Sequence, residues 1–294
     1  MAMPGIKQHQ IWLFIAPFFV VFAVFTVWPL IFNAWLAFHD YFFRGGHTLW
    51  NGFANFVALA DDDQYFHPAV KNTLLFLVVV PIIQVVSLGL ALLVSPKRLG
   101  AFRAMLYLPV ILAVSIAGVV WRQVLHAEGM LNQMLASITG LPLLDMPPWL
   151  DSPSTAMYGV LLFFCWKHIG YYMVLYLAGL QMVPKQLLEA AMLDGAGVWM
   201  RIRHVILPAI QPVILLCTLL TTIAALKAFQ EVMVLTGGES DTITVQMYVY
   251  GAAMYSQNFG LGAAAAFLMS IFCLALAWVQ WQLFGETGLL RGRK

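Results

Sequence analysis

Six apolar stretches, each long enough to cross a lipid bilayer, limit what this chain can fold into more than any other feature. A helix needs about 20 mostly apolar residues to span the hydrocarbon core. The stretches that reach this length with few charges are approximately 11–38, 70–94, 102–121, 156–180, 205–229 and 260–284. The chain is 62% hydrophobic and only 10% charged, whereas a soluble domain carries about 25% charged residues. We therefore predict an all-α integral membrane protein with six transmembrane helices in a single domain over residues 1–294.

Prolines lie within or at the ends of several of these stretches, and they predict helices that are kinked. These prolines are Pro29, Pro81, Pro109, Pro208 and Pro212. Proline removes a backbone donor, and membrane helices tolerate this where neighbouring groups satisfy the freed carbonyls. We expect the kinked helices to pack around a pathway.

Positive charges are distributed unequally between the two sides of the membrane. One side receives ten Lys and Arg residues, namely Lys7, Lys97, Arg98, Arg103, Lys185, Arg201, Arg203, Arg291, Arg293 and Lys294. The other side receives three, namely Arg44, Lys71 and Arg122. Because cytoplasmic loops carry the excess of Lys and Arg, we expect both termini to be cytoplasmic. Three long segments, 39–69, 122–155 and 230–259, are then external, and they are long enough to contain short helices.

One polar segment, residues 181–204, interrupts the apolar pattern on the predicted cytoplasmic side. Pro184 suits the start of a helix, and the run 185–193 is a good helical sequence. Its apolar face is predicted to consist of Leu187, Leu188, Ala191 and Met192. Gly195 and the second glycine that follows it permit a sharp bend, after which a basic helix leads into the next span. An ordinary amphipathic connector is an alternative interpretation of the same pattern.

The order of residues in this segment resembles the signature cytoplasmic loop of permease subunits of ATP-binding-cassette (ABC) importers. That order is Glu189-Ala190-Ala191, three residues, Gly195, nine residues, and then an aliphatic residue followed closely by Leu207-Pro208. The fuller string is similar to the carbohydrate-uptake branch, the maltose-type permeases, with Val205 where that branch usually has Ile. The similarity extends over nearly the whole chain, through 51–56, Trp166-Lys167, 177–184, Phe229 and 235–238. Two departures are Glu239, where the family usually has Pro, and Gln230, where it often has an acid.

This resemblance implies a type I ABC importer permease fold, with a coupling helix between the fourth and fifth spans that docks on an ATPase. The residues expected to make this contact are Glu189, Ala190, Ala191, Asp194, Gly195, Leu207 and Pro208. The implied partners are two ATP-binding subunits, a second homologous permease that makes a heterodimer, and an extracytoplasmic solute-binding protein. The implied location is a bacterial-type inner membrane.

The sequence provides no candidate for a catalytic or nucleotide-binding site. The chain lacks a G-x-x-x-x-G-K-[ST] phosphate loop, so ATP and Mg are expected on the partner ATPase and no cofactor is expected here. The histidines are scattered and the cysteines lie in separate apolar runs, which gives no metal-ligand spacing. A net charge of +2 gives no reason to expect nucleic-acid binding. We therefore predict a translocation subunit and not an enzyme.

Polar and aromatic residues within the later spans are candidates for the substrate pathway, because ionisable groups inside a bilayer are costly and commonly functional. The candidates are Trp166, Lys167, Tyr171, Tyr172, Lys227, Gln230 and Glu231. Hydrogen-bonding side chains beside aromatic rings suit a sugar. Three structural alternatives remain open. Lys227 and Glu231 pair on one helix face, Lys167 extends toward the membrane surface or bonds carbonyls of the partner permease, or the aromatic residues are anchors at the membrane interface.

Three functions are compatible with this pattern. The first is an importer of a sugar, a polyol or a glycerol-phosphate ester, powered by the separate ATPase. The second is an ion-coupled secondary transporter, which predicts an inverted repeat and acids at the membrane midplane; neither is visible in the sequence. The third, a membrane scaffold, explains the docking segment but not the polar residues within the spans.

Overall fold

The fold is mostly helical in the computed structural model, which describes residues 8–41, 48–94 and 100–284, with side chains from Trp12 onward. The helices are α1 (Gln8–Phe22), α2 (Trp28–Leu36), α3 (Ala54–Ala60), α4 (Phe66–Val94), α5 (Gly100–Ile111), α6 (Val114–Val124), α7 (Met130–Thr139), α8 (Ala156–Gln181), α9 (Lys185–Leu193), α10 (Val198–Arg201), α11 (Leu207–Ala209), α12 (Gln211–Leu226), α13 (Gln230–Leu235), α14 (Val245–Met254) and α15 (Phe259–Phe284). Short π-helical turns, Ala23–Val27 and Ile202–Ile206, join α1 to α2 and α10 to α11.

Four of the described helical segments are long and apolar enough to cross a membrane: Trp12–Leu36, α4, α8 and α15. Two further helix pairs reach this length together but are sharply bent, α5 with α6 by 100° and Val198–Ala209 with α12 by 74°. Counting each bent pair as one span gives six, and the predicted all-α membrane fold class is confirmed. The expectation of merely kinked helices is wrong for the third and fifth spans, which are broken.

Proline contributes differently to the two breaks. Pro109 lies inside α5, and the helix continues for two residues before it ends at Ile111. The other break lies at Ile210, directly before α12, which has Pro212 in its first turn. In a continuous helix, Pro212 would leave the carbonyl of Pro208 without a donor, and its ring would clash with that carbonyl. Proline therefore favours both breaks, but the contacts described below are needed to fix the first one.

The described chain divides into two compact units, and the smaller comprises the described residues within 8–62 and 249–268. Within it, the strands β1 (His39–Tyr41) and β2 (Thr48–Trp50) pair antiparallel, a hairpin that the hydropathy pattern did not predict. The amide nitrogen of Asn55 donates to the backbone carbonyls of Ala37 and His39, at 3.0 and 2.9 Å. These bonds tie α3 to the end of the first span.

The larger unit comprises the described residues within 63–248 and 269–284, and its core lies between α4, α8 and α12. Large side chains that are completely or almost completely buried fill this core, including Phe76, Ile83, Phe163, Met173 and Tyr176. A buried polar network also joins the three helices. The Tyr176 hydroxyl donates to the side-chain oxygen of Gln84 over 2.5 Å, and the Gln84 amide donates to the Thr221 hydroxyl. The network accounts for the polar residues in this part of the spans.

The three segments predicted to be external contain the hairpin and the short helices α3, α7, α13 and α14. Several residues used to predict the orientation, namely Lys7, Arg44, Lys97, Arg98, Arg291, Arg293 and Lys294, lie outside the described residues. The cytoplasmic position of both termini stays a prediction, as does the single domain over 1–294.

Candidate functional site

The polar insert between the fourth and fifth spans forms the short helix α9, which covers the predicted run 185–193. Pro184 precedes the helix as its N-cap residue and fixes the turn that follows α8. The carbonyl of Pro184 accepts a hydrogen bond from the backbone N–H of Leu187 at 3.2 Å.

The end of α9 is a left-handed turn at Gly195, whose φ is +78°. The Gly195 N–H donates to the carbonyl of Met192 at 3.1 Å, and the Ala196 N–H donates to the carbonyl of Ala191 at 2.9 Å. This pair of bonds is the Schellman arrangement, which closes a helix end and usually requires glycine at the left-handed position. Gly195 therefore ends α9 and sets the direction of the chain toward α10.

Most of α9 faces solvent in the isolated chain, and large apolar side chains are among the exposed groups. Leu187 is 51% exposed and Leu193 is 89% exposed, and Trp199 in the adjoining α10 is 71% exposed. Leu188, by contrast, packs against the core of the larger unit. The predicted apolar face is therefore divided, because Leu188 turns inward while Leu187 and Met192 remain uncovered.

The other residues predicted to dock an ATPase surround this exposed surface. Glu189, Ala190 and Asp194 are exposed, and Ala191 is half-buried. Leu207 and Pro208 belong to α11, directly before the break in the fifth span, with Leu207 half-buried and Pro208 exposed. The described part of the chain provides no ion-pair partner within 4.0 Å for Glu189.

Lys167 lies on α8, and its ammonium reaches the end of α5. The ammonium donates to the carbonyls of Pro109 at 2.6 Å and Val110 at 3.3 Å, and also to the carbonyl of Leu112. Lys167 is only 9% exposed. The sequence-based alternative that Lys167 bonds backbone carbonyls agrees with these contacts, except that the carbonyls belong to its own chain.

A cavity of about 280 Å³ adjoins this contact and contains two of the predicted pathway residues besides the lysine. It is lined by Val110, Lys167, His168, Tyr171, Tyr172, Leu220 and Ala224. Tyr171 is partly exposed, while Tyr172 is almost completely buried. The Tyr171 ring therefore lies at the accessible side of the cavity and the Tyr172 ring at its inner side. The arrangement offers aromatic faces and hydroxyl groups to a small polar molecule.

His168, the ionisable residue next to Lys167 within the fourth span, also lines this cavity. Its ring nitrogen Nδ1 lies 2.9 Å from the carbonyl of Phe164, one helical turn earlier. The spacing of His168 to Tyr171 and Tyr172, three and four residues, places all three on one helix face. That spacing was the signal in the sequence that identifies His168.

The remaining predicted pathway residues do not line the cavity. Trp166 points to a different side of α8, where its ring lies 5.3 Å from that of Trp121. Lys227 is exposed at the end of α12, and Gln230 is exposed at the start of α13. The idea that Lys227 and Glu231 share one helix face is wrong, because α12 ends at Leu226 and α13 begins at Gln230.

Glu231, the only acid among the predicted pathway residues, is buried, with 8% of its surface exposed. It lies in α13, beyond the end of the fifth span, and burial raises the pKa of its carboxyl above the usual range while the Lys167 ammonium opposes that rise. The Glu231 carboxyl and the Lys167 ammonium lie more than 4.0 Å apart and do not form an ion pair. Among the described residues, no three His, Cys, Asp or Glu side chains cluster in a way that would hold a metal ion.

Comparison with known families identifies the class of this chain. The model of the family "Binding-protein-dependent transport system inner membrane component" matches residues 10–283. The chain belongs to this family, the permease subunits of ABC importers, and the predicted membership of the carbohydrate-uptake branch is confirmed.

Individual relatives are similar to this chain over nearly its full length. The chain is 30% identical to the lactose transport system permease protein LacF of Rhizobium radiobacter over 280 residues, 92% of each chain. It is 29% identical to the arabinooligosaccharides transport system permease protein AraP of Bacillus subtilis, covering 95% of this chain and 90% of the relative. The fold is also similar to a chain of a bacterial alginate ABC transporter, with a TM-score of 0.79, 22% identity, and coverage of 96% and 97%.

Proposed function

We propose that this chain is the membrane permease of an importer that moves a sugar into the cytoplasm, powered by a separate ATPase. The observation that carries the proposal is α9, an exposed helix on which Leu187, Glu189 and Leu193 have no cover in the isolated chain. Apolar groups exposed beside an acid on a short helix suit a cleft in a partner protein. Relatives over the full length are named as permeases for lactose and for arabinooligosaccharides.

The partner at α9 is proposed to be an ATP-hydrolysing subunit. Docking would involve Glu189, Ala190, Ala191, Asp194 and Gly195, together with Leu207 and Pro208 at the start of the fifth span. Small residues permit close approach of a partner backbone, and Glu189 has a carboxylate for a basic group of the ATPase. ATP and Mg would be bound by that subunit, so this chain needs no cofactor of its own.

The cavity beside Tyr171 and Tyr172 is proposed to be part of the solute pathway. Lys167 lines it, but the three hydrogens of its ammonium are used by three backbone carbonyls. A phosphate ester would need a cation with hydrogen atoms to spare, whereas a neutral sugar needs hydroxyl partners and aromatic faces. The lining therefore favours a neutral carbohydrate over a glycerol-phosphate ester. Trp166, Lys227, Gln230 and Glu231 remain predicted pathway residues outside this cavity.

The wider assembly is proposed to be a heterodimer with a second permease, carrying two ATPase subunits, in a bacterial-type inner membrane with both termini in the cytoplasm. A solute-binding protein would deliver the sugar on the external side. The solved alginate transporter is described in complex with an alginate-bound periplasmic protein, which supports such a partner here. An ion-coupled carrier is disfavoured by the family to which the chain belongs.

Transport in liposomes tests this proposal. The chain is reconstituted with its ATPase, second permease and binding protein, and uptake of a labelled neutral oligosaccharide is followed with ATP inside the vesicles. We expect uptake to require internal ATP and the external binding protein, and to be unaffected when sodium and proton gradients are collapsed. Uptake by this chain alone, driven by an ion gradient, would contradict the proposal. Competition by glycerol phosphate but not by oligosaccharides would contradict the proposed solute.

A further inference from the structure

The third span breaks at a place where backbone carbonyls collect. The last carbonyls of a helix have no partner within the helix and carry the negative end of its dipole. In α5 these include the carbonyls of Pro109 and Val110, and the carbonyl of Leu112 follows directly after the helix ends at Ile111. The chain then turns by 100° into α6. Such a cluster in an apolar environment needs a donor, because an unpaired buried carbonyl is costly.

Lys167 supplies this donor from a different helix. Its ammonium has three hydrogens and bonds three carbonyls, those of Pro109, Val110 and Leu112. The side chain reaches the site because α8 and α5 pack closely one turn further along, where Gly170 lies against the carbonyl of Leu106. A positive charge at a helix C-terminus is also stabilised by the dipole.

Broken helices of this kind are known to bind cations in transporters that are coupled to an ion gradient. There, unwound carbonyls and the C-terminal ends of half-helices coordinate Na⁺ or H⁺ near the substrate site. In this chain the same chemical environment is present beside the cavity that Val110 and Lys167 help to line, but a covalently attached ammonium occupies it. The cation at this site therefore comes from the chain itself.

We propose that the Lys167 ammonium is a built-in cation that closes the carbonyl end of α5 and holds the break in the third span. Lys167 is then a positioning residue of the pathway and not a ligand of the solute. By fixing the break it sets the course of α6, which packs against α13 where Gly118 meets Val234. Removing the side chain leaves a site of defined chemistry, one that accepts a small primary ammonium ion.

Chemical rescue tests this assignment without depending on transport. Lys167→Ala removes the ammonium and three carbons of its stem, a gap that propylammonium fills. We expect the unfolding temperature of the purified, detergent-solubilised assembly to fall by about 5 °C in this variant. Propylammonium should raise it again toward the wild-type temperature. Propanol, which has the same shape without the charge, should have no such effect. Equal effects of the two compounds, or a variant as stable as the wild type, would overturn the proposal.

Lys71→Ala is the matched control, because it truncates an exposed lysine on α4 that takes no part in the break. Propylammonium should not change its unfolding temperature. If Lys167→Ala does not assemble, Lys167→Arg and Lys167→Met are compared in the membrane fraction. Arginine retains a cation and should assemble, whereas methionine should not; equal yields of the two would overturn the proposal.

Uptake measurements separate positioning from solute binding, a distinction that rests on the proposed transport function. The assembled Lys167→Ala variant should have a lower maximal rate of uptake and an unchanged half-saturating solute concentration, and Lys167→Arg should retain the wild-type rate. A raised half-saturating concentration at an unchanged maximal rate would instead make Lys167 a solute ligand. Because the unfolding assay needs no transport, a wrong transport function and a wrong role for Lys167 give different results.

Discussion

Gly170 of α8 lies directly against the backbone of Leu106 in α5, so closely that a Cβ atom at residue 170 would overlap the Leu106 carbonyl oxygen. The two helices therefore meet backbone to backbone at this point. Lys167, one turn earlier on α8, is thereby brought within hydrogen-bonding distance of the end of α5. Gly170 and Lys167 together determine how α5, the first half of the third span, packs against α8.

Gly170→Ala should separate these helices and destabilise the protein. Inserting a methyl group into a well-packed contact costs about 1–3 kcal/mol, and the neighbouring atom here is a backbone oxygen that has no rotamer to change. Thermal unfolding in detergent measures the loss. Gly89→Ala in α4 is the matched control, because a Cβ atom there meets nothing within 4 Å. Equal unfolding temperatures for the two variants would show that α5 and α8 are not in close contact at this position.

The hydrogen bond between Tyr176 and Gln84 should be worth about 1 kcal/mol of stability. It joins α8 to α4 inside the core, with the hydroxyl 2.5 Å from the amide oxygen, and hydrogen bonds between membrane helices average about 0.6 kcal/mol and reach about 1.7. A double-mutant cycle with Tyr176→Phe and Gln84→Met measures it. Thr218→Val is a control, because Thr218 bonds only the carbonyl of Ile214 in its own helix. Strictly additive effects of the two core changes would contradict the coupling.

Gly195→Ala should weaken transport more than Gly197→Ala. Gly195 has a φ of +78°, which costs a residue with a side chain about 1–2 kcal/mol. Gly197 has a φ of −64° and open space around it, so a methyl group there meets no strain. We expect the first change to distort the end of α9 and reduce ATP-dependent uptake. Equal uptake by the two variants would show that the turn at Gly195 does not govern coupling.

The positions of the spans and of α9 could be predicted because each depends on local sequence. An apolar run of sufficient length specifies a membrane helix whatever its partners, and Pro184 and Gly195 delimit the run 185–193 by their own backbone preferences. The hairpin of β1 and β2 lies instead in a region joined by long-range contacts, in which the Asn55 amide donates to the carbonyls of Ala37 and His39. Contacts between distant parts of the chain leave no periodicity in the sequence.

The breaks in the third and fifth spans were missed for the same reason. Hydropathy shows how long an apolar run is, but it does not show whether the helix axis changes direction within that run. Pro109 gave a local indication, but the helix ends two residues after it, where the Lys167 ammonium donates to the backbone carbonyls. The spacing of Lys227 and Glu231 was misleading because it assumes one continuous helix. The role of Lys167 follows only from the residues that α8 brings it against.

The docking of an ATPase on α9 is the central claim, and ATP hydrolysis by the affinity-purified assembly tests it most directly. Leu187→Glu places a charge on the exposed face of α9, whereas Leu144→Glu makes the same change at a residue that is 97% exposed in the 3₁₀ turn Leu143–Asp145. We predict that the Leu187→Glu permease is recovered with its partner permease but without ATP hydrolysis, and that the Leu144→Glu permease retains wild-type hydrolysis. Full hydrolysis and full uptake in the Leu187→Glu assembly would contradict the account.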